Sequence, residues 1–255
     1  MFQEDFLAVV NSSKIKAAFF KRSPFRFFIA SMLAGMFVGF GILLIFSIGG
    51  YLTGYPFAKI IMGACFGIAL SLVIMAGSEL FTGNNMIMST GLFSKAVTLS
   101  EVLKLWIVCL IGNWLGAFLL AWLFYKAGLA QGAVGEFIAA ASAAKMSIPF
   151  IPLFIRGILC NILVCLAIWC SFRLKSESGK LIMIFWCLFA FITSSFEHSI
   201  ANMTLLSISL FAPFEAAVSL SGYFYNILTA TLGNMVGGIL FVALPYYIIS
   251  GKKEA

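Results

Sequence analysis

The sequence predicts an all-α membrane protein with six transmembrane helices, arranged as an inverted repeat of three plus three. Of its 255 residues, 62% are hydrophobic and 10% are charged, whereas soluble domains are roughly 45–50% apolar. A transmembrane helix needs about 20 apolar residues, and six such runs fit the chain. The second and fifth runs are interrupted by polar residues at matching places, which indicates broken helices in two related halves.

The basic residues favour a topology with both termini in the cytoplasm. They cluster at 1–26, 94–104, 173–180 and 251–255, and positive charge favours the cytoplasmic side. The net charge of +7 therefore reflects topology and does not indicate a nucleic-acid partner. The predicted spans are 27–50, 57–93 with a break, 105–125, 150–172, 181–210 with a break, and 218–249.

The segments outside the spans complete the predicted domain organisation. Residues 1–26 alternate apolar and polar side chains at near-helical spacing, which predicts an amphipathic cytoplasmic helix at the interface. This segment lacks the pattern of a cleavable signal peptide. The channel domain is predicted at 27–250, with repeat one at 27–126, repeat two at 148–250, and a cytoplasmic tail at 251–255. A short helix is expected in the connection 126–148.

Both predicted breaks contain a carboxylate at membrane depth. The first is an irregular loop expected over 77–85, with Glu79 six residues before Asn85. The second holds Glu197, five residues before Asn202, and His198, the single histidine of the chain. Irregular backbone at this depth is tolerated inside protein or along a water-filled cavity. An ionisable residue inside a membrane is interpreted first as functional. The alternative is that these side chains only form hydrogen bonds with the free backbone groups at helix ends.

Two Gly-Asn pairs provide the clearest internal repeat. Gly112-Asn113 in the third span parallels Gly233-Asn234 in the sixth. Inverted repeats with matched broken helices indicate a transport pathway at their interface, and half-helix N-termini there favour a small anion. Asn113, Asn161 and Asn234 are interpreted either as ties for the broken segments or as groups that reach the pore.

His198 is surrounded in the spans by bulky apolar residues. Histidine exchanges a proton near neutral pH, whereas a narrow apolar constriction opposes a bare ion. A weak acid avoids that barrier by accepting a proton and crossing as a neutral molecule. The apolar candidates are Phe66, Leu70, Leu80, Phe81, Val164 and Phe191.

The motifs around both breaks resemble those of the formate/nitrite transporter family. The resemblance rests on Leu80-Phe81-Thr82, the run Phe196–Met203 and both Gly-Asn pairs, and it covers about Phe25 to Tyr247. The runs Gly77–Gly83 and Cys160–Trp169 are similar to those of the nitrite and hydrosulfide members. The family implies an aquaporin-like fold and a homopentamer with one pore in each subunit.

The resemblance also implies roles for individual residues. It places the central histidine at His198, the outer vestibule lysine at Lys145 and the mobile-loop threonine at Thr82. It places pore asparagines at Asn161 and Asn234, with Glu197, Glu79 and Asn113 in support. The constrictions fall on Leu70, Leu80, Phe81 and Phe191, with Phe66 and Val164 beside them.

The predicted function is a passive or proton-linked channel for small monovalent weak-acid anions in the prokaryotic inner membrane. Nitrite or hydrosulfide is favoured, and formate is a further candidate. In this hypothesis Lys145 and the helix dipoles attract the anion, His198 supplies a proton, and the neutral acid crosses while Thr82 gates the inner side. The alternatives are an aquaporin-like channel for neutral solutes, a membrane enzyme and a non-conducting scaffold.

The composition provides no set of residues for a cofactor. One histidine and six scattered cysteines make a poor haem or metal site, so neither an enzyme nor a metal protein is expected. The cysteines are interpreted as buried free thiols.

Overall fold

The computed structural model describes residues 2–250, and every regular element in that range is a helix. The predicted tail at 251–255 lies outside the described residues. In the first half, α3, α4 and a π-helical turn form one nearly continuous helix that ends at Gly77. The elements of this half are α1 (Gln3–Arg22), α2 (Pro24–Tyr51), α3 (Ala58–Cys65), α4 (Ile68–Leu72), the π-turn Val73–Gly77, α5 (Phe81–Phe93) and α6 (Leu99–Lys126).

The second half follows the same order of long helix, broken helix and long helix. The short helix expected in the connection 126–148 is present as α7. The elements of this half are α7 (Gly132–Met146), α8 (Phe150–Arg173), α9 (Glu177–Thr193), α10 (Ser199–Phe211), α11 (Leu220–Gly238), the π-turn Ile239–Ala243 and α12 (Leu244–Ser250).

Within the described range, five helices are long and apolar enough to cross a membrane. The all-helical, multi-span prediction is therefore confirmed at this level. The predicted fifth span is divided between α9, which has 17 residues, and α10, which has 13. The five long helices are Pro24–Tyr51, Ala58–Gly77, Leu99–Lys126, Phe150–Arg173 and Leu220–Ser250.

Two pairs of long helices pack closely because glycine lies at each crossing. On α6, a Cβ at Gly116 would lie 1.9 Å from the Met32 carbonyl oxygen of α2. On α11, a Cβ at Gly237 would lie 2.4 Å from the Ile158 carbonyl oxygen of α8. Small residues let helix backbones approach in this way, and each of these glycines lies three residues after the asparagine of a Gly-Asn pair.

The first break is shorter than the sequence predicts. The expected loop 77–85 is reduced to Ser78–Leu80, because α5 begins at Phe81 and includes Thr82 to Asn85. Gly77 ends the preceding π-turn at φ +79°, a conformation that glycine adopts at little cost. Helix propensity is a weak signal that tertiary contacts override, and the contact of Asn84 with Glu79 is one that the local sequence does not specify.

The N-terminal helix packs against the bundle along one face. Phe6, Val9 and Val10 are buried, as is Ser13, whereas Ile15 is 61% exposed. The structure has a helix at Gln3–Arg22, and α2 begins at Pro24, inside the segment 1–26 predicted as one helix. The interfacial position of α1 stays a prediction.

All six cysteines are free thiols. Four of them are buried, and Cys65 and Cys170 are partly exposed.

Substitution of Gly116 tests the close approach of α2 and α6. Gly116→Ala should lower the apparent melting temperature in detergent by roughly 5 °C or more, because overpacking a well-packed contact costs about 1–3 kcal/mol. Gly67→Ala is the matched control, since its Cβ would lie 3.6 Å from the nearest atom. Equal melting temperatures for the two variants would contradict the assigned crossing.

Candidate functional site

The first break contains a carboxylate with two polar partners. Lys16 of α1 contacts the Oε2 atom of Glu79 at 2.5 Å through its Nζ atom. Asn84 of α5 donates from Nδ2 to the same oxygen at 3.0 Å. We call Lys16, Glu79 and Asn84 the first-break cluster. Its lysine comes from the helix that precedes the first span.

The second break contains the corresponding set of contacts. Lys145 of α7 contacts Glu197 Oε1 at 2.7 Å, and Asn202 Nδ2 donates to Glu197 Oε2 at 2.7 Å. Asn202 Nδ2 also lies 2.8 Å from Asn226 Oδ1. We call Lys145, Glu197 and Asn202 the second-break cluster.

The contacts change one comparison made from the sequence. In the sequence, Asn85 and Asn202 each follow a break carboxylate, but Asn84 is the residue that donates to the carboxylate five positions before it, as Asn202 does. The Oδ1 atom of Asn85 instead lies 3.4 Å from Asn161 Nδ2. Adjacent helical positions face different directions, so a shift of one residue exchanges these roles.

The asparagines of the two Gly-Asn motifs hold the broken backbone together. Asn113 donates to the carbonyl oxygens of Ser31 and Glu79 at 2.7 and 2.9 Å and accepts the Phe81 N–H at 2.9 Å. These bonds join α2, α6 and both sides of the first break. A buried backbone group without a partner costs about 1–3 kcal/mol, so one side chain removes several such costs.

Asn234 makes the same three bonds at the second break. It donates to the carbonyl oxygens of Gly157 and Glu197 at 2.8 and 2.9 Å and accepts the Ser199 N–H at 2.9 Å. The sequence allows these asparagines either to tie the broken segments together or to reach the pore. The contacts of Asn113 and Asn234 are those of a structural tie.

Asn161 lies between the two breaks. Its Nδ2 atom contacts the carbonyl oxygens of Asn234 at 2.6 Å and Thr82 at 3.2 Å. Its Oδ1 atom is buried without a hydrogen-bond partner in the described structure. Asn161 therefore ties α8 to both α5 and α11 and keeps one free acceptor.

His198 is the N-cap residue of α10. Its Nδ1 atom accepts the Ala201 N–H at 3.1 Å, and its Nε2 atom lies 3.0 Å from Thr82 Oγ1. A ring nitrogen that accepts a backbone N–H carries no proton, so the neutral ring is assigned the tautomer with hydrogen on Nε2. The two breaks therefore meet through one hydrogen bond between Thr82 and His198.

A narrow apolar cavity adjoins His198. Its volume is about 10 Å³, close to the space that one water molecule needs. The Phe66 and Phe191 rings meet edge to face at 5.3 Å. The lining residues are Val38, Phe66, Ala69, Leu70, Leu80, Val164, Leu188, Phe191 and His198.

This cavity includes most of the predicted constriction residues, but not Phe81. Leu70, Leu80 and Val164 line it, whereas Phe81 is buried beside Trp106 with ring centroids 6.4 Å apart. Leu80 is the N-cap of α5, so the next side chain is directed elsewhere.

A larger cavity opens on the side of the second-break cluster. Its volume is about 670 Å³, and we call it the Lys145-side cavity. Phe191 and His198 line both cavities, so these two side chains form the wall between the wide space and the apolar constriction. The lining residues to which the sequence assigns no role include Lys59, Arg156 and Ser195.

Sequence reasoning also missed Lys16, Asn84 and Asn202 as members of the clusters. The available signal was weak, because Lys16 precedes Glu79 by 63 positions. The repeated spacing of five residues between glutamate and asparagine identifies both asparagines once the two breaks are compared.

Comparison with known proteins places these features in context. The family model described as formate/nitrite transporter matches residues 3–248. The chain is 41% identical to the nitrite transporter NirC of Salmonella typhimurium over 258 aligned positions, covering 98% of this chain and 94% of that protein.

Two solved structures are also similar. A structure described as an FNT family ion channel superposes with a TM-score of 0.92 at 37% identity, covering 97% of this chain and 99% of that one. A pentameric formate channel with formate bound gives a TM-score of 0.82 at 29% identity, covering 90% and 98% respectively.

Substitution of Asn234 tests its function as a backbone tie. Asn234→Ala removes two donated bonds and one accepted bond, and should lower the apparent melting temperature in detergent by roughly 5 °C or more. Gln131→Ala is the control, because Gln131 is exposed and makes no side-chain cap bond. A variant as stable as this control would show that Asn234 is not needed to hold the second break.

Proposed function

This chain belongs to the formate/nitrite transporter family, and we propose that it is a membrane channel for small monovalent anions of weak acids. Nitrite is the favoured substrate, because the chain is 41% identical to a nitrite transporter. Hydrosulfide and formate are further candidates. The observation that carries the proposal is that the Lys145-side cavity and an apolar constriction lie next to each other and share His198 and Phe191 as lining residues.

We further propose an aquaporin-like architecture of six spans in two inverted repeats. The hydrogen bonds support it, because Glu79 and Glu197, like Asn84 and Asn202, are 118 positions apart and make equivalent contacts. Three spans in each half is an odd number, which requires the second copy to be inverted. In this arrangement α9 and α10 together form the fifth span.

The proposed assembly is a homopentamer in the prokaryotic cytoplasmic membrane. The similar pentameric formate channel supports the oligomeric state, and lipid would surround the assembly. The basic connections at 94–104 and 173–180 support cytoplasmic termini, with the N-terminal helix 1–26 on that side. The Lys145-side cavity then faces outward, and the first-break cluster faces the cytoplasm.

We assign attraction of the anion to Lys145 and to the N-termini of α5 and α10. Lys145 lies at the wide cavity, and the N-termini of α5 and α10 meet at Thr82 and His198. Helix N-termini carry a partial positive charge and free N–H donors. These partial charges stabilise an anion up to the edge of the constriction, and no full positive charge has to lie inside the constriction.

The apolar constriction then selects for a neutral molecule. A space for about one water, lined by Phe66, Leu70 and Phe191, cannot hydrate an ion, and transfer of an unpaired charge from water is costly. The same environment raises the pKa of a bound weak acid. A weak-acid anion that takes up a proton crosses, whereas an anion of a strong acid stays charged.

The contacts of His198 define its part in this step. To become charged, the ring must accept a proton on Nδ1, which breaks its bond with the Ala201 N–H. This cost favours a neutral ring whose Nε2–H donates a hydrogen bond at the constriction. We therefore assign the transferred proton to water in the Lys145-side cavity, and we assign orientation of the substrate to His198, with Thr82 as its partner at the gate.

An aquaporin-like channel for neutral solutes is the alternative. It predicts water or glycerol flux without dependence on pH. Flux of nitrite, hydrosulfide, formate and chloride into proteoliposomes at pH about 5.5 and 7.5 distinguishes the two. The proposed channel passes the three weak-acid anions faster at the lower pH, because more of each is protonated, and excludes chloride.

Two substitutions of His198 separate hydrogen bonding from proton donation. Asparagine is a favourable N-cap and retains an N–H donor, so His198→Asn should keep nitrite flux within about tenfold of wild type with the same pH dependence. His198→Phe removes both functions and should lose most flux. Loss of pH dependence in His198→Asn alone would instead identify the ring as the proton source.

Truncation of Phe191 tests the constriction. Phe191→Ala should admit water to the space between the cavities and produce chloride flux, because a hydrated path lowers the barrier to an ion. Phe81→Ala removes the same ring at a position that does not line the cavity, and should leave chloride excluded. Chloride flux through both variants, or through neither, would contradict this location of the barrier.

A further inference from the structure

The Lys145-side cavity holds more positive than negative charge. Its charged lining residues are Lys59, Lys145, Arg156 and Glu197. Lys145 is paired with Glu197 at 2.7 Å. Within residues 2–250 the remaining ion pairs are Lys16–Glu79 and Arg173–Asp5. Lys59 and Arg156 therefore contribute two positive charges that no carboxylate balances within the described structure.

Lys59 is directed towards the second break through a neutral partner. Its Nζ atom donates to Ser195 Oγ. Ser195 has φ +61° and comes three positions before His198. The hydrogen bond places the ammonium group beside the approach to the constriction and leaves its charge available, because a hydroxyl group does not neutralise it.

Arg156 has no basic counterpart at the first break. Its carbonyl oxygen accepts the Glu197 N–H at 3.2 Å, and the equivalent bond to Glu79 comes from Ala30 at 3.1 Å. The residue whose carbonyl accepts this bond is thus arginine at the second break and alanine at the first. The Arg156 side chain is partly buried and lines the cavity.

We propose that Lys59 and Arg156 form an anion-recruiting site in the Lys145-side cavity that prefers anions with two oxygens. This inference rests on the proposed function. Nitrite and formate each present two oxygens on one atom, which suits the planar fork of a guanidinium. Hydrosulfide and chloride each present a single acceptor atom. The positive charge attracts them, but they cannot form the two parallel hydrogen bonds of the guanidinium.

The site is tested by half-saturating concentrations measured from each side of the membrane, in right-side-out and inverted vesicles. At low ionic strength, Lys59→Gln with Arg156→Gln should raise this concentration for nitrite about tenfold on the Lys145 side. The maximal rate should not fall. An impermeant salt should weaken nitrite uptake by wild type and have little effect on the double variant.

Arg156→Lys separates the charge from the fork. It should raise the half-saturating concentrations of nitrite and formate several-fold and leave that of hydrosulfide unchanged. Equal changes for all three anions would overturn the two-oxygen preference.

Ser195→Ala removes the hydrogen bond but keeps the Lys59 charge, and should resemble wild type. An effect as large as that of Lys59→Gln would show that the bond, and not the charge, is responsible.

Two further outcomes distinguish this inference from the proposed function. Lys104→Gln with Lys175→Gln is the charge-matched control, because both lysines are exposed and neither lines the cavity. If the double variant matches this control while wild type transports nitrite, the recruiting site is wrong and the channel stands. If wild type transports none of the three weak-acid anions, the proposed function itself fails.

Discussion

Each break in the bundle depends on a buried carboxylate held by one lysine and one asparagine. The Glu197 side chain is 3% exposed and that of Glu79 is 11% exposed, and transfer of an ion out of water costs several kcal/mol. Removal of one partner from such a pair typically costs about 3–5 kcal/mol. The lysines come from α1 and α7, which precede the long helices. Helices α1 and α7 therefore help to hold the breaks together.

The backbone at each break is satisfied by the same arrangement of donors and acceptors. Asn113 and Asn234 each supply two N–H donors and one acceptor where the helical ladder stops. Non-helical backbone at membrane depth needs such partners because lipid offers none. The neighbouring glycines bring α6 close to α2 and α11 close to α8. The asparagine side chains can therefore reach the backbone of the breaks. The Gly-Asn pairs thus combine close packing with backbone satisfaction.

Much of this arrangement could be predicted because it depends on local sequence. Apolar runs predicted the long helices, and the polar interruptions predicted both breaks. The predicted length of the first break was too long. Thr82 to Asn85 lie in helix α5, although the same residue types also occur in loops. The pairing of Lys16 with Glu79, 63 positions apart, depends on how α1 packs, which periodicity does not specify. The direction of Phe81 likewise follows from the position at which α5 begins.

The differences between the two breaks matter most for chemistry. With the offset of 118 that relates the clusters, His198 corresponds to Leu80. Both are N-cap residues, and both line the narrow cavity. The proposed repeat therefore places two equivalent helix starts at one constriction, one with an apolar side chain and one with a hydrogen-bond donor. A symmetric pair of leucines would offer no hydrogen-bond donor at the constriction, and a symmetric pair of histidines would make it more polar. One of each maintains an apolar barrier beside a single donor, which suits a substrate that arrives as an anion and crosses as an acid.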